Sequence, residues 1–368
     1  MKFVIFGLTV STSWGNGHAT LWRGLISALV EQGHRVVFFE RDLPFYAPHR
    51  DLTELPSGAE LILYPSWEEV LPRVSQELAG AEVGLVTSYC PDGVAASWRV
   101  LESSVPVRCF YDMDTPITLE RAQRGEPVEY IPPEGLGYFD IVLSYTGGQA
   151  LRALCTVLGA RCVAPLYGSV DPGVHYPVPP RQSYQGDLSY LGTYAANRQA
   201  ALERLFLEPA RRLPQRRFII GGAQYPADFA WTPNLYFVQH LPPVEHPAFY
   251  CSSRLTLNVT RGPMAELGYC PSGRLFEAAA CGVPVLTDDW KGLDTFFRVG
   301  EEILVARTTE DTLEALSRSP EELARMGRFA RERALTEHTA ARRAEELVDL
   351  MDTTLALSAE PEPTLGRI

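Results

Sequence analysis

"CPSGRLFEAAACGVPVLTDDW", residues 270–290, sets Pro-Ser-Gly-Arg ahead of a short apolar run with one carboxylate, then a glycine, then a strand-like stretch ending in two aspartates. Ser272 is a helix-cap residue and Gly273 leaves the backbone open to close approach. The helix from Arg274 onward therefore presents free N–H groups and the positive end of its dipole. Glu277 is the one charge within "LFEAAACG", so a solvated face does not explain it. Gly282 ends the helix, and "VPVLTDD" delivers Asp288 and Asp289 to the edge where the helix began. Such an edge suits an anion: a diphosphate on the amides, the donor fork of Arg274 beside it, and ribose hydroxyls on Glu277 one turn further on.

Outward from this stretch, short apolar runs alternate with helical patterns along the chain. "KFVIFGL", "RVVFFE", "ELILY", "VGLVTS", "VRCFYD", "DIVLSY" and "RCVAPL" read as strands of one parallel sheet; "DLSYLG", "RFIIGG", "LYFVQH", "RLTLNV", "VPVLTD" and "EILVA" read as strands of a second. Helices are expected at about 195–212, 245–252, 272–281 and 320–352, as apolar spacing and caps indicate. The fold class is α/β, with two doubly wound domains facing across a cleft. The expected boundaries are 1–166 for the first domain, 167–186 for a Pro-rich linker and 187–335 for the second domain. A helix at 336–354 and a polar, disordered tail at 355–368 follow.

A chain of 368 residues with 46% apolar and 21% charged residues can fill two cores. A net charge of -12 excludes a broad surface for nucleic acid or anionic membrane. The seven cysteines are scattered, without Cys-x-x-Cys, which predicts reduced core thiols in the cytoplasm rather than a disulfide framework or zinc site. No window approaches a membrane span or a cleaved leader, so a soluble protein without an integral membrane segment is expected.

Ligands of open parallel sheets lie at the carboxyl ends of strands, which directs attention to four loops. In "STSWGNGHAT", Gly15, Asn16 and Gly17 permit close approach to an anion or sugar, and His18 stands at the helix start as a base or donor. Neither the dinucleotide fingerprint nor a P-loop lysine is present. In "FYDMDTPITL", Asp112 and Asp114 close a strand. Two carboxylates at this spacing can chelate a divalent ion with a diphosphate, or one can act as base and the other touch substrate. An Asp that caps the helix near Pro116 is the competing account, and, Asp-x-Asp being a common tripeptide, no metal is expected. In "SYLGTYAANRQAAL" and "FIIGGAQYP", Gly192 and Gly222 end strands where a nucleotide can approach, and Arg198 lies within reach of a phosphate. The fourth loop is the stretch first quoted.

"GRLFEAAACGVPVLTD" resembles the donor-site signature of group-one GT-B glycosyltransferases, and "CPSGRLFEAAACGVPVLTDDWKGLDTFF" followed by "GEEILVA" resembles the CgeB-like branch of spore-maturation proteins. The resemblance covers about 187–345. It implies a GT-B fold of two Rossmann-like domains, with a C-terminal helix crossing back to the first. It further implies a UDP-, dTDP- or GDP-sugar donor on the second domain, an acceptor (small molecule, glycan or protein) on the first, and no bound metal or other cofactor. Glu277 matches the residue that holds the donor ribose. Arg198, with Ser272, Gly273, Arg274 and Arg261, takes the place of the groups that stabilise the leaving diphosphate. His18 and Asp112 are the expected catalytic groups; Asp114, Asp288 and Asp289, with the first glycine loop, are the expected acceptor or sugar contacts. The sequence departs from many group-one enzymes at Tyr269, where they carry a second Glu eight positions before the ribose Glu. A GT-B sugar-nucleotide epimerase and a non-catalytic nucleotide-sugar binding protein are the competing readings; an oxidoreductase is disfavoured.

Overall fold

The computed structural model describes residues 1–15 and 17–359, the last two by their backbone alone. Asn16 and residues 360–368 lie outside the described residues, and with them the expectations placed there.

Seven strands form the first sheet: β1 (Lys2–Gly7), β2 (Arg35–Arg41), β3 (Ala59–Tyr64), β4 (Val83–Thr87), β5 (Val107–Asp112), β6 (Ile141–Ser144) and β7 (Val163–Pro165). Their order is β3-β2-β1-β4-β5-β6-β7, and the pairings are parallel. Side chains of adjacent residues alternate between two cores. Phe3, Ile5, Phe38 and Leu85 face one side; Val4, Phe6, Phe39 and Val86 face the other. A strand buried on both faces has to be apolar throughout, which is why "KFVIFG" and "RVVFFE" are continuous runs.

The second sheet repeats the plan with β8 (Gly186–Leu191), β9 (Phe218–Gly222), β10 (Leu235–Gln239), β11 (Ser253–Asn258), β12 (Val285–Asp288) and β13 (Leu304–Ala306) in the order β10-β9-β8-β11-β12-β13. In each sheet the strand order reverses once, between β1 and β4 and between β8 and β11. Loops of the two domains meet there, with Asp114 Oδ1 of the first 3.5 Å from Arg261 Nη1 of the second.

The expected helix at 320–352 is two helices, Pro320–Glu337 and Ala340–Ala359. Between them Val170 of the linker donates its amide to His338 O at 2.9 Å and accepts from the Ala340 amide at 2.8 Å. This turn lets the last helix cross to the first domain, where Ala344, Leu347 and Met351 join the core around Trp22 and Leu25. That helix runs beyond residue 354, so the segment from 355 to 359, expected as tail, is helical. The segment at 195–212 is irregular: a 3₁₀ turn at Ala196–Arg198, then α, π and α turns to Arg212.

The cysteines are free, as expected, but Cys162 is exposed, and Cys155 and Cys251 are only partly buried, so the description of all seven as core residues is corrected. Among the described residues no helix is long and apolar enough to cross a membrane.

Candidate active site between the two domains

On the first domain, the β1 loop is shaped by a carboxylate that sequence reasoning passed over. Glu40 of β2 is buried and accepts hydrogen bonds from the Val10 and Ser11 amides at 2.7 and 2.9 Å and from the Thr9 hydroxyl at 2.8 Å. The loop so held leads through Gly15, whose φ of +65° requires glycine, to His18 at the first position of helix His18–Glu31. A side chain at Gly15 would stand 3.3 Å from Gln224 Nε2, so this loop lies against the second domain.

His18 Nε2 lies 2.8 Å from Asp114 Oδ2, and Asp114 Oδ1 lies 3.5 Å from Arg261 Nη1 of the second domain. The three residues form a polar chain across the cleft. Asp112, expected to act as a base, is turned inward. It is wholly buried, and its Oδ1 accepts from the Asp114 amide at 3.1 Å and from Thr118 Oγ1 at 3.0 Å. Burial pushes its carboxyl up to about 7. Asp112 supports the turn, and Asp114 is the carboxylate facing the cleft. Asp114 starts helix Thr115–Gln123 without a side-chain capping bond.

On the second domain three guanidiniums converge at the carboxyl ends of β8 and β11. Arg274 donates from Nη1 to Leu191 O at 2.6 Å, from Nη2 to Val259 O at 3.1 Å and from Nε to Ser272 Oγ at 3.0 Å. It therefore ties together the ends of two strands and the start of its own helix, rather than extending a free fork. Ser272 accepts from Arg274 instead of capping, so helix Gly273–Ala280 begins with no side chain on its amides. Arg198 donates from Nη1 to Thr193 O at 3.2 Å. Burial pulls its guanidinium down to about 10, with Arg274 and Arg261 adding to the effect. The Nε–H groups of Arg198 and Arg261 are buried without a partner among the described residues. Close-packed cations with unsatisfied donors are costly unless an anion joins them.

Gly192 and Gly222 are glycine for a steric reason. Gly222 has φ +156°, and a Cβ there would collide with Gly192 O; one at Gly192 would stand 2.9 Å from Arg274 Nη1. The glycines let the two strand-end loops approach each other around Arg274.

Glu277 is buried and accepts from Tyr250 OH at 3.1 Å on Oε2. Its other oxygen, Oε1, faces the helix start, 3.9 Å from where a Gly273 side chain would begin. His175 and His246 flank Oε2 at 4.0 and 3.8 Å. Neither histidine was singled out from sequence, because they are far apart in the chain and no local motif joins them. The ligand atoms of His175, His246 and Glu277 lie within 4.8 Å of one another.

Two expected sugar contacts lie elsewhere. Asp288 is buried and accepts from the Thr260 amide at 3.0 Å and the Thr260 hydroxyl at 2.9 Å, so it braces the loop that carries Arg261. Asp289 is exposed and pairs with Arg307 at 2.8 Å. Both carboxylates are thus engaged within the second domain. Gly17 borders the helix start with open space around it.

Residues 198–349 match the family model described as glycosyl transferase-like. No curated protein matches the chain by sequence. Among solved structures, sucrose-phosphate synthase from Thermosynechococcus elongatus is 14% identical with a TM-score of 0.71, covering 97% of this chain and 99% of its own. HepE of Anabaena, solved with UDP and glucose, is 10% identical with a TM-score of 0.67, covering 96% of this chain and 100% of its own. A UDP-N-acetylglucosamine 2-epimerase, as its name has it, from Listeria monocytogenes is 15% identical with a TM-score of 0.54, covering 98% and 97%. The fold is GT-B. Its C-terminal half carries the matched glycosyl transferase-like domain.

Proposed function

We propose that the protein transfers a sugar from a nucleoside-diphosphate-sugar to an acceptor bound on the first domain, within the CgeB-like branch suggested by residues 270–306. One observation carries the reading: Arg198, Arg261 and Arg274 converge at the open start of helix Gly273–Ala280, and two of them have unpartnered buried donors. A diphosphate supplies the missing acceptors. Departure of a nucleoside diphosphate places negative charge there while the sugar gains oxocarbenium character, so this cluster would lower the barrier most as that charge develops. Arginines and helix amides take the part that a magnesium ion plays elsewhere. Glu277 Oε1 faces the same opening and is assigned the ribose hydroxyls. UDP is the nucleotide to test first, since HepE was solved with it.

His18, held by Asp114, is the group assigned to the reacting hydroxyls. A carboxylate on one ring nitrogen fixes the orientation of the imidazole, the arrangement of a general base with its orienting partner. In an inverting transfer His18 takes the acceptor proton. In a retaining transfer it orients the sugar, and the anomer of the product decides between the two. An epimerase would use the same nucleotide site, and release of a rearranged nucleotide-sugar with no acceptor present would mark it.

Calorimetric titration of the whole protein with UDP, dTDP and GDP, with and without magnesium, tests the donor site. One nucleotide is expected to bind independently of magnesium, and Arg261→Ala to weaken it by about tenfold or more, as loss of a charge-assisted bond implies. Absence of binding to every nucleoside diphosphate would overturn the reading.

A further inference from the structure

We propose that His175, His246 and Glu277 bind one divalent transition-metal ion of the zinc class. Their ligand atoms all lie within 4.8 Å of one another: His175 Nε2 is 4.0 Å and His246 Nδ1 3.8 Å from Glu277 Oε2. Three main-chain elements bring them together. His175 comes from the linker between the domains, His246 from the start of helix His246–Cys251, and Glu277 from the middle of helix Gly273–Ala280.

The hydrogen-bonding state of the rings points to a ligand. His175 is 2% exposed, and both its ring nitrogens are buried without a hydrogen-bond partner among the described residues. His246 is held through Nε2 by Leu241 O at 3.2 Å, which fixes the proton on Nε2 and turns the lone pair of Nδ1 into the cluster. That Nδ1 is likewise buried and unpartnered. A backbone carbonyl on the far nitrogen is the usual outer support of a metal-bound histidine. Tyr250 OH, 3.1 Å from Glu277 Oε2, provides the corresponding support for the carboxylate. A bound ion would satisfy two of the three unpartnered imidazole nitrogens, His175 Nε2 and His246 Nδ1, which are otherwise desolvated without compensation.

Two imidazoles and one carboxylate select zinc or cobalt over magnesium or calcium, which prefer all-oxygen sets. With bonds of about 2.0–2.1 Å and tetrahedral angles, the donors of such a site stand about 3.4 Å apart, so small ring rotations close the set. Three protein ligands leave a fourth position open. The ion would join the linker to the donor domain and lock the rotamer of Glu277 by Oε2, with Oε1 still directed to the helix start. The site shares Glu277 with the donor reading but does not depend on it.

The test uses the full chain, stripped with a chelator and re-equilibrated with zinc chloride, cobalt(II) chloride or magnesium chloride in the absence of nucleotide. One zinc per chain is expected to survive gel filtration, no magnesium is retained, and cobalt(II) gives the intense visible bands of a four- or five-coordinate site. His175→Gln and His246→Gln are each expected to weaken zinc by about tenfold or more. Failure of the wild-type protein to retain stoichiometric zinc, with a six-coordinate cobalt spectrum, would overturn the proposal without relying on any variant. Zinc affinity unchanged in both variants, with their circular dichroism intact, would do so too. Nucleotide titration of the zinc-loaded protein is a separate readout: failure to bind there bears on the donor reading alone.

Discussion

His18 and Asp114 meet at 2.8 Å from opposite sides of the first domain's crevice, 96 residues apart in sequence. Because neither residue belongs to the arginine cluster, His18→Ala is expected to leave nucleotide affinity unchanged and to lower turnover by about 10²-fold or more, the usual worth of a positioned proton-transfer group. Parallel calorimetry and initial rates separate the two effects; a fall in affinity matching the fall in rate would remove His18 from the chemical step. Asp112 makes a different prediction. Its carboxyl is raised from 3.8 to about 7, so the folded protein holds that proton to higher pH than the unfolded chain. The associated stability is complete below pH 3.8 and is lost as pH rises through 7, by up to about 4 kcal/mol. Asp112→Asn keeps the Oδ1 acceptor and removes the charge. Urea midpoints between pH 5 and pH 8 should therefore fall less steeply in the variant than in the wild type, and parallel slopes would contradict the burial argument.

At the scale of elements, the site depends on helix Gly273–Ala280 and on the strand-end loops that Arg274 joins through Leu191 O, Val259 O and Ser272 Oγ. A lysine carries the charge but cannot span three acceptors from one rigid plane. Arg274→Lys is expected to destabilise the fold by about 2 kcal/mol or more, since hydrogen bonds to charged groups are worth about 1.5–3 kcal/mol each, and to weaken nucleotide binding alongside. Chemical denaturation with calorimetry checks both; lost binding with unchanged stability would make Arg274 a direct phosphate ligand instead. The same residue marks how far the sequence could be read. The strands were legible because parallel strands buried on both faces are unbroken apolar runs, and "PSGRLFE" announced a helix opening onto an anion. Which atoms the backbone claims was not legible. Ser272 serves Arg274 rather than a cap, Asp288 serves the Thr260 amide, and Glu40 shapes the first loop from another strand. Each depends on loops meeting in space, which no local spacing encodes. The break at His338–Thr339 was hidden for a similar reason, because its cause is the pairing of both neighbours with Val170 of the linker.

The whole molecule is closed by the last helix, Ala340–Ala359, whose Ala344, Leu347 and Met351 complete the core of the first domain although the chain reaches them only after the second. His338 sits at that crossing. It is held by Phe296 O on Nε2 at 3.1 Å, and its Nδ1 accepts from Arg343 Nη2 at 3.0 Å. The bond from Arg343 requires an unprotonated Nδ1 and hence the neutral ring, and burial lowers its pKa from 6.5 to about 4. The unfolded chain therefore takes up a proton first as pH falls. The crossing contributes its full stability above pH 6.5 and loses it progressively toward pH 4, by up to about 3 kcal/mol. Asp112 acts in the opposite direction over part of this range, so the wild-type profile alone does not isolate the histidine. His338→Gln can keep both bonds without titrating, and its urea midpoint should fall less between pH 7 and pH 5 than that of the wild type. Leu347→Ala, which deletes a fully buried side chain of the same helix, should cost about 2–5 kcal/mol at every pH. If the helix joins the two domains into one cooperative unit, this loss should appear as a shift of a single transition by near-UV circular dichroism. A separate early transition of the first domain, with nucleotide binding retained through it, would show that the crossing helix stabilises that domain without coupling it to the other.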